Sequence, residues 1–261
     1  MMNNKMKRVW ADGASCYKVL GAFIGFPSTP LVEMCAYNGL DVVVIDNEHG
    51  LFSDEQVEYM VMAAEAAGIT PLVRVVSADP FHVLKALDRG AHGVHVPQID
   101  SKSLAEQVVE AIKYPPRGKR GAAFSMRAAR YGTIPTDQYL EEANRETFVC
   151  IHIESIKAVE NLSEIASVRD IDAWYIGPTD LSVSMGLKGD IYHPELLAAV
   201  DVIKREAQRA GVRLGIHVKD AVGARDRFEW GANYVCLTVT SLINRAFHDY
   251  NTQSRQLFEP S

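Results

Sequence analysis

Two short runs of the chain, FVCIHIE (148–154) and IDAWYIG (171–177), are apolar at consecutive rather than alternate positions. A strand buried on one face alternates, whereas one buried on both faces does not, and the second pattern marks a parallel sheet covered by helices. The segment between them, SIKAVENLSEIASVRD, is helical in pattern, so the unit reads strand, crossover helix, strand. A right-handed crossover brings both strand ends to the same side of the sheet. Glu154 closes the first run and Asp180 follows the Gly177-Pro178 turn after the second, so the two carboxylates are expected side by side at one rim. Two ionised carboxylates there repel unless a cation or a shared proton relieves them, which makes the pair a candidate metal site. The plainer alternative is that Asp180 caps a helix within TDLS and that Glu154 opens one. His152 weighs against it, because residues 152 and 154 share a strand face and a third polar group then converges on the same region.

The same alternation continues along the chain. Strands are expected at Leu20–Phe26, Asp41–Asp46, Thr70–Val76, Ala91–Val96, Phe148–Glu154, Asp172–Ile176, Val212–His217 and Asn233–Leu237. Helical patterns lie between them, including SDEQVEYMVMAAEAAG and HPELLAAVDVIKREAQRAG. Eight strand–helix units in 261 residues predict an α/β fold, a single (β/α)8 TIM barrel spanning residues 1–261, with its site at the carboxyl ends of the strands. One long connection, Tyr114–Pro135, is long enough to be functional or to contact another subunit.

Composition narrows the partners. Net charge is −6 and the only basic run is the short KMKR near the start, which argues against nucleic acid and anionic membranes. No apolar stretch approaches membrane-spanning length and MMNNKMKRVW lacks an apolar core, so neither anchor nor export signal is expected. The four cysteines (Cys16, Cys35, Cys150, Cys236) show no CxxC spacing, and Cys150 and Cys236 fall inside apolar strands. A reduced, cytoplasmic protein is the expectation.

The strand ends carry the chemistry. Strand two ends in IDNEHG, which puts Asp46 and His49 at the rim, and a His held by an Asp is a common general-base arrangement. By itself DxxH is more often a turn. Strand three ends in PLVRV, so Arg74 points from a buried strand toward the opening, where its planar fork suits a carboxylate. The alternative is an internal salt bridge with Glu48 or Asp88 as the anion.

At these residues the chain resembles the HpcH/HpaI-type metal-dependent 2-oxo-acid aldolases of the phosphoenolpyruvate/pyruvate barrel superfamily. The matching stretches are IDNEH, VRV, LDRGAHGVHVPQ, KYPPRGKRG, RAARYG, HIE and GPTDLSVSMG, in order and over nearly the whole chain. The resemblance implies a divalent metal, Mg²⁺ or Mn²⁺, held by Glu154 and Asp180, and chelated by the carboxylate and ketone oxygens of a 2-oxo acid of the pyruvate or oxaloacetate type. It implies that Arg74 stabilises the enolate, that His49 with Asp46 forms the base system, and that Asp88 is a further acid near the site. Pro178 and Thr179 of the GPTDLSVSMG stretch would line the substrate. An aldehyde or thioester is the implied partner substrate, and a homo-oligomer, from dimer to hexamer, built from dimers that exchange their last helix, is the implied assembly.

Three departures bear on the acceptor. His152 stands where many members have Gln, His217 and Lys219 end strand seven where apolar residues are common, and Thr238 and Thr240 follow strand eight. These make the acceptor side more polar and favour a carboxylated or thioester partner, as in relatives that condense acetyl-CoA with oxaloacetate to citrate for siderophores. His152, His217 and Thr238 are therefore expected to contact substrate. A Schiff-base aldolase would need a desolvated Lys, with Lys219 the sole candidate. A phosphate-binding isomerase would need Gly-rich loops after strands seven and eight, which are missing. A non-catalytic assembly protein would have no need of the metal pair.

Overall fold

The computed structural model describes residues 4–11 and 17–258, so Cys16 lies outside the described residues. Eight parallel strands pair in sequence order and β8 closes on β1: β1 Val19–Ile24, β2 Val42–Asp46, β3 Thr70–Arg74, β4 Gly93–Val96, β5 Phe148–Ile153, β6 Ala173–Ile176, β7 Arg213–His217 and β8 Tyr234–Thr238. The helices are α1 Lys5–Ala11, α2 Thr29–Tyr37, α3 Asp54–Ala67, α4 Pro80–Asp88, α5 Lys102–Ile112, α6 Thr136–Glu146, α7 Ile156–Glu160, α8 Leu162–Ile165, α9 Pro178–Ser184, α10 Pro194–Ala210, α11 Ala221–Trp230 and α12 Val239–Phe258. The (β/α)8 barrel is as expected, with several strands ending earlier than their apolar runs: β3 stops at Arg74 and β5 at Ile153. At those points the chain leaves the ladder to become the rim.

Strand alternation sorts the core into two shells. In β5, Val149, Ile151 and Ile153 pack outward under the helices, while Phe148 and Cys150 face the barrel axis. The axis is filled by Phe23, Tyr175 and Tyr234, and the α1 residues Met6 and Trp10 join the same cluster. Room for these rings comes from Gly215, where an added Cβ would sit 2.6 Å from Tyr175 Cδ2 and 2.9 Å from Tyr234 Cδ1. Cys35, Cys150 and Cys236 are free and buried, as small hydrophobes are.

Local signals fix the helix ends. Ser53 caps α3 through a capping box with Gln56, and Gly68 ends that helix in the left-handed region at φ 78°. The long connection is not loose: Phe124, Met126 and Ala129 pack on Tyr114 and Tyr139, and Arg127 pairs with Glu65. The last helix, α12, is amphipathic but buries only Val239, leaving Leu242, Phe247, Tyr250, Leu257 and Phe258 exposed. Among the described residues no helix is long and apolar enough to cross a membrane.

Candidate active site

The carboxyl ends of β2, β3, β5 and β6 bring together one cation and a cluster of carboxylates. Asp46 and Arg74 are direct partners in the β2–β3 register, so their side chains meet at the rim. Arg74 donates from Nε to Asp46 Oδ1 (2.8 Å) and from Nη2 to Oδ2 (2.6 Å), and its Nη1 lies 3.1 Å from Glu48 Oε2. Its guanidinium also stacks 4.9 Å above the Phe23 ring. A guanidinium has five N–H groups, so this arrangement leaves two for another anion. Burial alone would lift the Asp46 carboxyl, but Arg74 and the backbone N–H groups of His49 and Glu48 outweigh it and hold it below the ordinary range. Glu48 goes the other way: burial raises it despite Arg74, and the charge of Glu154 adds to the rise.

Glu154 is buried, and each of its oxygens has a partner. Oε1 accepts the Gln98 N–H at 2.8 Å, and Oε2 lies 3.1 Å from His152 Nδ1. Gln98 adopts φ 58°, a left-handed conformation uncommon for a side-chain-bearing residue, and its N–H is thereby held on the carboxylate. Burial would raise the Glu154 carboxyl, yet His152, the Gln98 N–H and the Arg74 charge together hold it below its usual value. Asp180 sits in the first turn of α9, whose N-cap is Gly177 without a side-chain cap bond. Its carboxylate is therefore not used as the cap that TDLS allowed.

Gly177 decides whether these two acids fit a metal. A Cβ there would lie 2.6 Å from Glu154 Oε2 and 3.3 Å from Asp180 Oδ2, so both carboxylates border one small space that only glycine leaves open. Among the described residues no group of three or more His, Cys, Asp or Glu is placed to form a cage. Two carboxylate donors with the other positions left to water and substrate suit a hard, hexacoordinate cation.

The profile of the HpcH/HpaI aldolase/citrate lyase family matches residues 20–244. The chain belongs to that family. It is 32% identical over 244 residues to 2-keto-3-deoxy-L-rhamnonate aldolase of Klebsiella pneumoniae, covering 93% of this chain and 90% of that one. It also resembles the solved structure of an HpcH/HpaI aldolase/citrate lyase family protein from Burkholderia cenocepacia, with TM-score 0.91, 31% identity and coverage of 97% and 100%. The structure of citrate synthase SbnG is similar too, with TM-score 0.88, 26% identity and coverage of 98% and 99%. As an HpcH/HpaI member the chain is a divalent-metal-dependent aldolase, a carbon–carbon lyase of small 2-oxo acids.

Within the HpcH/HpaI barrel, three sequence expectations need correction. The Asp46–His49 pair does not form: Asp46 accepts only the backbone N–H of His49 (3.3 Å), because the Arg74 fork occupies its carboxylate. The His49 ring is 65% exposed, with Glu48 Oε2 3.8 Å away. Asp88 is not near these groups within one chain; it ends α4, which returns to the amino-terminal side of the barrel, and takes the buried Arg120 at 2.8 Å. His152 does not line the acceptor space, since its ring is 1% exposed and both nitrogens are engaged, Nε2 with His95 Nδ1 at 3.0 Å. The remaining positions lie at the rim. His217 and Thr238 end β7 and β8, with Nε2 and Oγ1 3.4 Å apart. Burial, aided by the charges of Arg74 and His152, lowers the His217 imidazole to about 4. Pro178 is buried and Thr179 exposed at the start of α9. Lys219 is exposed and lies over the Tyr192 ring, unlike a desolvated Schiff-base lysine.

Two contributors were not singled out from sequence. Glu48 entered only as a partner for Arg74, yet it is half of the anionic frame around that guanidinium. His95, in GVHV, carried the signal: it is the polar residue between Val94 and Val96, which face outward, so it must point to the axis.

Proposed function

We propose that Glu154 and Asp180 hold Mg²⁺ or Mn²⁺ and that the protein makes or breaks the carbon–carbon bond next to the carbonyl of a pyruvate- or oxaloacetate-type acid. The observation that carries this reading is the convergence of the two carboxylates on Gly177 within reach of the Arg74 charge. A bound cation would act there as a Lewis acid on the 2-oxo group. The protein's own groups supply the rest. The two spare N–H groups of Arg74 bind the oxygen on which negative charge builds, help worth ~3–4 kcal/mol per donor. Asp46 and Glu48 hold the guanidinium plane, and Phe23 supports its face. The exposed His49 ring is the base or acid beside this frame, and Pro178 and Thr179 bound the substrate at the start of α9. Asp180→Ala should abolish metal-dependent turnover while the fold persists; activity that survives in this variant, or in the parent protein with EDTA, refutes the reading.

A second acceptor chemistry is supported by the His217–Thr238 pair at the mouth. A neutral imidazole beside a hydroxyl suits a carboxylated or thioester partner better than a simple aldehyde. Citrate-synthase-like condensation of oxaloacetate with acetyl-CoA is therefore the alternative activity. Assaying that pair against pyruvate with several aldehydes, each with and without metal, separates the two. The exposed apolar face of α12 supports a homo-oligomer, from dimer to hexamer, and the composition supports a cytoplasmic location.

A further inference from the structure

Behind the metal pair, the barrel axis carries a line of polar groups that the proposed chemistry does not use. Tyr234 Oη lies 3.4 Å from His95 Nε2, His95 Nδ1 lies 3.0 Å from His152 Nε2, and His152 Nδ1 lies 3.1 Å from Glu154 Oε2. Tyr234 and His95 are fully buried, His152 is 1% exposed and Glu154 is 6% exposed. Polar groups in such a place cost several kcal/mol unless each finds a partner, roughly 1–3 kcal/mol apiece. Here the partners form one chain, so the tautomers are not independent.

The direction of the chain follows from proton counting. An ionised Glu154 needs the proton on His152 Nδ1. Two ring nitrogens 3.0 Å apart share one proton. Burial, with the Arg74 charge, keeps the His95 imidazole well below its ordinary value, hence neutral. One hydrogen per contact is accommodated along the whole line when His95 Nδ1–H donates to His152 Nε2 and the Tyr234 hydroxyl donates to His95 Nε2. Every hydrogen bond then points toward the carboxylate. The His95 ring is held edge-on by its neighbours, with Phe23, Tyr175 and Tyr234 centroids at 5.7, 5.2 and 5.7 Å.

We propose that His95 is a positioning residue for the metal site: its Nδ1–H fixes the His152 ring, and that ring aims Glu154 Oε2 into the space beside Gly177. This rests on Glu154 being a metal ligand. His95 touches neither substrate nor metal in this scheme; it acts through His152, as partners behind metal ligands do elsewhere.

Manganese binding by calorimetry tests it, on the whole protein and without substrate. His95→Leu removes the donor and is expected to weaken Mn²⁺ binding by roughly 10–100-fold. In His95→Asn the amide nitrogen takes the place of Nδ1, and affinity should stay close to the parent's. In His95→Gln the amide reaches the Nε2 position instead and should rescue poorly. Thermal unfolding of each variant separates loss of affinity from loss of fold. If the leucine variant does not fold, the Asn and Gln variants carry the comparison, and equal affinity in those two overturns the proposal. Equal affinity of His95→Leu and the parent overturns it as well. Imidazole ¹⁵N signals of the metal-free protein give an independent readout, with His152 protonated on Nδ1 and bare on Nε2; the opposite tautomer overturns it. Absence of Mn²⁺ binding by the parent would instead fail the metal assignment itself, and the tautomer measurement would still decide the role of His95.

Discussion

Gly177→Ala adds one methyl group to the space between the carboxylates and nothing else. The backbone at 177 has φ −92° and ψ 89°, which an alanine adopts without left-handed strain. The new Cβ would lie 2.6 Å from Glu154 Oε2, well inside the ~3.5 Å at which non-bonded heavy atoms are comfortable. Glu154 must therefore retreat by several tenths of an ångström. It is pinned by the Gln98 N–H at 2.8 Å and His152 Nδ1 at 3.1 Å, so the retreat weakens at least one charged hydrogen bond, worth ~1.5–3 kcal/mol. At ~1.4 kcal/mol per decade, divalent-metal affinity should fall by about 10–100-fold. The assay is Mn²⁺ titration by electron paramagnetic resonance, with Gly25→Ala as control because a Cβ there meets nothing within 4 Å. Parent-like affinity in a folded Gly177→Ala protein would refute the idea that this space is the metal cradle.

Arg74→Lys keeps the charge but cannot bridge Asp46 and Glu48 while offering two further donors, so kcat/KM should drop at least about a hundredfold, from loss of one ~3 kcal/mol donor; near-normal kinetics would leave Arg74 as a structural salt bridge. His217 takes up its proton near 6.5 when unfolded but only near 4 when folded, so the fold loses stability as pH falls through that window and is free of the penalty above it. His217→Asn should flatten the decline of Tm between pH 6.5 and 4, and an unchanged slope would show that the ring is not titrating there. Phe247→Glu combined with Tyr250→Glu places charges on the uncovered face of α12 and is expected to release monomers, read by light scattering; an unaltered mass would move the interface elsewhere.

The barrel was legible because its signals are local. Consecutive apolar positions and helix-period segments each need only a short window, and together they leave few topologies. The convergence of Glu154 and Asp180 beside Gly177 was legible for the same reason, since they mark the ends of two adjacent strands. The Asp46–His49 expectation failed because the deciding fact is not local. Asp46 and Arg74 are far apart in sequence, and only the β2–β3 register makes them partners. Once they meet, a two-pronged donor competes better for the carboxylate than a single ring nitrogen does. Asp88 was captured by Arg120 in the same way, from beyond the next helix. For His152, parity along the strand correctly gave the direction of the side chain, but its neighbour on β4 fixed how deep it sits. The Cα partner of His95 is Cys150, so His152 lies one diagonal step away.

The alternation of β5 has a consequence for how such a site can change over time. Phe148, Cys150 and His152 turn inward while Val149, Ile151 and Ile153 turn outward, and Glu154 follows on the inward beat. Sliding the strand by one residue would exchange every member of one set for a member of the other. An isoleucine would then stand where the acid stands, and a histidine would be pressed against the helices. Chemistry and packing at this strand therefore share a single reading frame. A one-residue insertion or deletion just before Phe148 should be lost from any surviving lineage for both reasons at once, whereas point changes at either parity can be sampled separately.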